Sequence, residues 1–203
     1  MKLYYLPGAC SLASHIALRE AGADFEIEAY DKASKKTASG ADFLAINPKG
    51  YVPVLSLDDG DVLTEGAAIL QFIADQHPDK ALAPAAGSRE RVHLQAQLNY
   101  IATEVHKAFG PLFNPAASDA EKAAARTKVA EKMNQVESLL SDGRDFVIGK
   151  GFTVADAYLF TVVNWTLPSG IGLDRWPHAA AYHRRIAARD SVQAALRAEG
   201  LAA

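Results

Sequence analysis

The sequence predicts an α/β domain of order βαβαββα followed by an all-helical domain, and three observations carry that prediction. Segments of period two alternate with segments of helical period up to about residue 80. The stretch DKALAPAAGS at 79–88 then interrupts the chain with small residues, Pro84 and Gly87, and no sustained period. Every periodic segment beyond it is helical. The first domain is therefore placed at 1–80, a linker at 81–87 and the all-α domain at 88–203.

Residues 2–6 read as a strand broken by Pro7, Gly8 and Ala9, and a helix follows from Ser11 to the helix-ending Gly22. Residues 25–30 alternate Phe25, Ile27 and Ala29 with Glu26, Glu28 and Tyr30, which is the pattern of a strand. A lysine-rich loop (Lys32, Lys35, Lys36) and a short helix at 41–46 come next, closed by Asn47 and Pro48. Strands at 54–57 and 62–63 flank an Asp58-Asp59-Gly60 turn, and a helix capped by Thr64 runs up to Pro78. The turn is too short for a parallel crossover, so the expected sheet is four-stranded and mixed, with a parallel first half and an antiparallel hairpin. In the second domain a long helix spans 89–109, and Ser118 with Glu121 and Thr153 with Asp156 have capping-box spacing. Two shorter helices are expected at 178–188 and 191–198.

Composition narrows the function. Hydrophobic residues are 49% and charged residues 22% of the 203, enough apolar material for a core without staples. Lys plus Arg (21) nearly balance Asp plus Glu (24), with no basic run to track a phosphate backbone, so nucleic acid is not an expected partner. The N-terminal apolar run is too short for a signal peptide and no stretch suits a membrane span, so a soluble cytoplasmic protein is expected. One cysteine excludes an intrachain disulfide, and six histidines without HExxH pairing give no support for a metal site.

Four constellations could carry chemistry. Cys10 stands in the turn before the first helix, where backbone amides and the helix dipole would stabilise a thiolate, although a lone cysteine is more often a small buried hydrophobe. Ala13 fills the place where a resolving cysteine would stand, so a mixed disulfide at Cys10 needs an external thiol. Pro53 suits either an ordinary strand start or a cis bond that turns the Val52 backbone toward an extended peptide ligand. Glu65 offers an acceptor for an ammonium group and the Gly66 amide a donor for a carboxylate, the two groups of an amino-acid end; a plain dipole effect explains the Glu equally well. On the long helix, Leu94, Leu98, Ile101 and Val105 fall in one arc, with Gln95, Asn99, Thr103 and His106 about 120° away. That polar stripe is either a cleft wall or a solvated face.

Together these features resemble the cytosolic glutathione transferases over essentially the whole chain. YYLPGACSLASHIALREAG with Cys10 beside Ser11, and NYIATEVHKAFGPLF with Asn99, His106 and Lys107, are similar to the bacterial beta class. The resemblance implies a thioredoxin-like first domain with Pro53 as a structural residue, and a core helix nucleated by Thr153 and Asp156. It implies that Val52 pairs with the cysteinyl part of glutathione, that Glu65 and Gly66 hold its γ-glutamyl end, and that Lys35 holds its glycyl carboxylate. Cys10 and His106 would be catalytic beside the sulfur, with Asn99 and Thr103 lining the same wall and Glu104 reaching a partner subunit's site. Gly66 departs from the family's Ser and lacks its hydroxyl, and Thr103 stands in place of Ser. Tyr5 and Ser11 occupy places where other classes keep an activating hydroxyl, a role that Cys10 puts in doubt here.

The expected activity is transfer of glutathione to a small electrophile, including halogenated aromatics, together with thiol-disulfide exchange through Cys10. Glutathione is the co-substrate, no metal is required, and a homodimer is implied. The residues Phe109, Phe113, Trp165 and Leu167 could line the electrophile pocket or belong to the core. The rival is a non-enzymatic binding or stress-interaction protein of the same fold, which failure to bind immobilised glutathione would favour.

Overall fold

The computed structural model describes residues 1–201, which divide into two compact units, 1–83 with 189–201 and 84–188. In the first unit the elements are β1 (Lys2–Tyr5), α1 (Ser11–Ala21), β2 (Glu26–Asp31), β3 (Lys36–Thr37), α2 (Phe43–Ile46), β4 (Val54–Ser56), β5 (Val62–Thr64) and α3 (Gly66–Gln76), with α9 (Asp190–Ala198) returning from the far end of the sequence. The sheet order is β3-β2-β1-β4-β5; β1 and β2 are parallel, and β4 runs antiparallel to β1 and β5. This is the thioredoxin-like arrangement, with a mixed parallel and hairpin sheet. It has five strands rather than four, because Lys36 and Thr37 of the lysine-rich loop pair back onto Asp31 and Tyr30.

Leu3 and Leu55 face each other across β1 and β4 and are fully buried, as are Leu12, Ile16, Ile69 and Leu70 of the helices packed on the sheet. On the other side Tyr30 stacks on Phe43 at 3.9 Å and both pack with Val54, which explains why α2 survives although it is only four residues long. Its cap is Asp42, whose side chain accepts from the Leu44 amide. Gly22 ends α1 at φ +65, a left-handed cap that frees no Cβ clash.

The helical domain drawn at 88–203 loses its last element in the structure. The α9 helix packs against α1, with Arg189 donating two bonds to the Glu20 carboxylate at 2.6 and 2.9 Å, so α9 belongs to the first compact unit. Sequence order placed it with the helices because an amphipathic helix announces that it needs a partner and not which one.

The second unit holds α4 (Arg89–Tyr100), α5 (His106–Ala108), α6 (Asp119–Leu140), α7 (Val154–Asn164) and α8 (Pro177–Ala187). Every residue from Val154 to Val163 is buried, which makes α7 the central helix of the unit. Asp156 anchors it: its buried carboxylate accepts from the Val147 amide, from the Thr153 amide and hydroxyl, and from the Tyr182 hydroxyl, at 2.8 to 3.1 Å. The Ser118–Glu121 capping box likewise opens α6. The long helix is not uniform. Residues 101–105 form a π-helical turn between α4 and α5, so the fixed 100° step fails across it and the polar stripe does not continue in phase to His106. The apolar arc survives that change, with Leu94, Leu98, Ile101 and Val105 all buried.

Candidate active site

Cys10 occupies the N-cap position of α1 and is partly buried. Its thiol donates to the Val52 carbonyl oxygen, S···O 3.2 Å, so the only cysteine of the chain touches the residue expected to pair with a peptide. Such a bond favours the protonated thiol, while the amides at the start of α1 favour the thiolate. Ser11 beside it is fully buried; its hydroxyl is shared with the Leu6 amide and carbonyl at 3.2 and 3.3 Å, which commits it to tying α1 to the end of β1. The Tyr5 hydroxyl is made less acidic by burial and then by the charge of Glu199, which keeps it protonated at neutral pH.

The Val52-Pro53 peptide bond is cis. The loop before it is held by Asn47, whose Nδ2 donates to the Tyr51 carbonyl at 2.8 Å and whose Oδ1 accepts from the Lys49 amide at 3.2 Å. Gly66 starts α3 against Pro53: a Cβ on Gly66 would lie 3.6 Å from Pro53 Cγ, an ordinary contact. Its amide is among the first amides of a helix, which have no acceptor within the helix.

Glu65, and not Thr64, is the N-cap of α3; Thr64 ends β5 instead. Glu65 takes φ +69 and ψ 109, a conformation that a residue with a side chain adopts only under strain. Its carboxylate is exposed and pairs with Lys49 Nζ at 3.0 Å, a partner the sequence reading missed. Lys35 also has positive φ, +58, on the exposed turn between β2 and β3, and its carbonyl accepts from the Phe43 amide. The structure thus joins Cys10 to Val52 directly and sets Gly66 beside Pro53, whereas Lys35 is exposed on its own turn and the exposed Glu65 carboxylate is held by Lys49.

In the helical unit His106 Nδ1 lies 2.9 Å from the Tyr158 hydroxyl, and its ring meets Trp165 edge-on at 4.8 Å. Burial, and secondarily Lys107, pushes its pKa down to about 4, so the imidazole is neutral at pH 7 and hydrogen-bonds without a charge. Thr103 donates its hydroxyl to the Asn99 carbonyl one turn back at 2.9 Å, while the Asn99 side chain is exposed. Glu104 is paired with Lys132 Nζ at 2.6 Å. Of the four apolar candidates, Phe109 and Trp165 are core, whereas Phe113 and Leu167 are 50% and 52% exposed. Phe109 and Phe113 each lie 5.7 Å from Trp165 between ring centres, so the exposed ring is backed by the buried ones. Among the described residues there is no cluster of three metal-ligating side chains, and no helix is long and apolar enough to cross a membrane.

A thioredoxin-like unit with a thiol against the residue preceding a cis-proline, followed by an all-helical unit, defines the class, and comparison with known proteins agrees. Residues 8–76 match the family model of the glutathione S-transferase N-terminal domain and residues 100–190 that of the C-terminal domain. The chain belongs to the glutathione S-transferase family and is an enzyme, a transferase; its similarity is to the bacterial beta class. It is 48% identical to glutathione S-transferase GstA of Escherichia coli O157:H7 over 99% of this chain and 100% of that one. The beta-class enzyme of Sphingomonas chungbukensis matches with a TM-score of 0.97 and 50% identity over 100% of both chains. A sphingomonad glutathione S-transferase solved with glutathione matches with a TM-score of 0.96 and 51% identity, again over 100% of both.

Proposed function

We propose that the first unit binds glutathione as an added strand along Val52, with the tripeptide's sulfur beside Cys10, and directs a thiolate at a soft electrophile or a disulfide. The observation that carries the reading is the contact of the Cys10 thiol with the Val52 carbonyl. A peptide pairing with Val52 through its backbone is thereby brought next to the chain's only sulfur nucleophile. Glu65 accepts from the γ-glutamyl ammonium, the Gly66 amide donates to the γ-glutamyl carboxylate, and Lys35 pairs with the glycyl carboxylate. The strained backbone at Glu65 supports a functional role, because strain of this kind persists where it holds a side chain or amide for a ligand. The glutathione in the similar sphingomonad structure supports the same ligand here.

Two reactions share this arrangement. In conjugation the glutathione thiolate attacks an electrophilic carbon, the new bond is C–S, and a halide leaves where the carbon is halogenated. In exchange the Cys10 thiolate attacks the glutathionyl sulfur of a glutathione mixed disulfide, forms the Cys10–glutathione disulfide and releases the other thiolate; a second glutathione thiolate then attacks that disulfide, leaves as oxidised glutathione and restores the Cys10 thiolate. The lack of a second cysteine makes that external thiol obligatory. In the helical unit the reading gives neutral His106 a hydrogen-bonding part in turnover, Asn99 and Thr103 polar contacts with the ligand, and the exposed Phe113 and Leu167 contacts with apolar substrates. The reading further includes a cytoplasmic homodimer in which Glu104 serves the partner; Tyr51, 70% exposed next to Val52, is the kind of aromatic anchor that a partner covers.

Intact mass after incubation with oxidised glutathione tests the exchange reaction. A gain of one glutathione in the wild type, absent in Cys10→Ala, is expected. No adduct at any ratio of oxidised glutathione contradicts exchange at Cys10, and loss of conjugation in Cys10→Ala would show that conjugation also requires that thiol. Sedimentation at micromolar concentration tests the dimer, which a monomer contradicts.

A further inference from the structure

Glu199 follows α9, and its carboxylate has no solvent exposure. A buried carboxylate is costly unless its charge is paired and its oxygens are hydrogen-bonded, so its partners show what it is fixed to. They come from the opposite end of the chain. The Gly8 amide donates to Oε2 at 2.9 Å, and His15 Nδ1 lies 2.9 Å from Oε1. Arg19 Nε donates to His15 Nε2 at 3.0 Å, which makes Nε2 the acceptor nitrogen and leaves Nδ1 to donate its proton to Glu199. His15 is itself fully buried, wedged against Phe25 at 5.7 Å and Tyr5 at 6.3 Å between ring centres.

This chain of bonds ends two residues before Cys10. Gly8 takes φ +69, and Leu201, just beyond Glu199, reaches within 3.5 Å of the place a Gly8 Cβ would occupy. The segment between β1 and α1 is thus clasped by the C-terminal turn through the bond of the Gly8 amide to Glu199. Cys10 directly follows that segment at the N-cap of α1, so the path of the segment helps to set where the thiol meets Val52.

We propose that Glu199 is a positioning residue for Cys10: it locks the segment Pro7–Cys10 so that the thiol meets the Val52 carbonyl. The proposal rests on the reading of Cys10 as the site thiol, but its test needs no glutathione, so the two fail separately. Because Cys10 is the only cysteine, its alkylation by iodoacetamide is followed by intact mass without ambiguity. In Glu199→Leu no acceptor remains for the Gly8 amide, the segment is released, and the protonated thiol moves off the Val52 carbonyl. The apparent thiol pKa, read from the alkylation rate against pH, should fall by about half a unit or more, with the rate at pH 7 rising about threefold. Glu199→Gln removes the same charge but keeps an oxygen for the Gly8 amide, and its pKa should stay at the wild-type value. An unchanged pKa in a folded Glu199→Leu, or an equal shift in Glu199→Gln, overturns the proposal. Should Glu199→Leu fail to fold, amide exchange of Gly8 in the wild type decides instead: protection is expected, and exchange at the rate of an open amide refutes it.

Discussion

Replacing Glu65 with glycine should separate stability from ligand affinity. The native residue sits at φ +69, which costs a residue with a side chain about 1–3 kcal/mol and glycine little. Glycine gives back about 0.5–1 kcal/mol through the greater freedom of the unfolded chain. The ion pair lost with Lys49 joins side chains 55% and 72% exposed, so solvent screening keeps its contribution to no more than about 1 kcal/mol. Glycine is also an acceptable N-cap for α3. The sum runs from a loss of about 1 kcal/mol to a gain of about 2.5 kcal/mol, and for a chain of this length each kcal/mol moves Tm by about 2–4 °C. Affinity should fall whichever sign stability takes. Losing a hydrogen bond to a charged ammonium costs about 1.5–3 kcal/mol, or about 10- to 150-fold weaker glutathione binding. Differential scanning calorimetry and calorimetric titration with glutathione measure the two quantities. A glutathione affinity within threefold of wild type, or a fall in Tm of many degrees, would refute the reasoning.

Gly66→Ser should restore a hydroxyl at the γ-glutamyl end and lower the KM for glutathione by about 3- to 10-fold, since the added Cβ meets Pro53 at an ordinary 3.6 Å; a raised KM contradicts the assigned role of this helix start. Asp156→Ala strands three buried donors, the Val147 amide and the Thr153 amide and hydroxyl, while the Tyr182 hydroxyl keeps the Asp156 carbonyl; at about 1–3 kcal/mol for each unsatisfied group the combined loss should approach the whole stability of the fold, read as collapse of the thermal transition or insoluble expression. His106 has a folded pKa of about 4 against about 6.5 unfolded, so the unfolded chain binds the extra proton between those values. Stability from this group is complete above pH 6.5 and is lost as pH falls toward 4, by at most about 3 kcal/mol, so urea midpoints between pH 7 and 4.5 should drop less in His106→Gln than in the wild type; parallel curves would contradict the burial argument.

Local chemistry was legible in the sequence where it is written in neighbouring residues. The Cys10 turn, the Pro53 strand start, Gly22 as a helix end and both capping boxes depend on residues a few positions apart, and each stands where its spacing placed it. What escaped depends on distance. The strand at Lys36–Thr37 is two residues long and exists because Tyr30 and Asp31 pair with it, not through its own propensity. Glu199 and His15 stand 184 residues apart, and nothing in either segment names the other. The π-helical turn before His106 also leaves no periodic mark, since the apolar arc stays buried through it. Glu65 shows the middle case: its place before α3 was readable, but its positive φ and its pairing with Lys49 required the backbone.

A crystal structure with reduced glutathione bound tests the central claim most directly. The account predicts the cysteinyl backbone laid antiparallel along Val52, its sulfur within hydrogen-bonding reach of Cys10, and the γ-glutamyl end on Glu65 and Gly66. Glutathione seated away from Val52, with the thiol of Cys10 still donating to the Val52 carbonyl and closed off from the ligand, would contradict it.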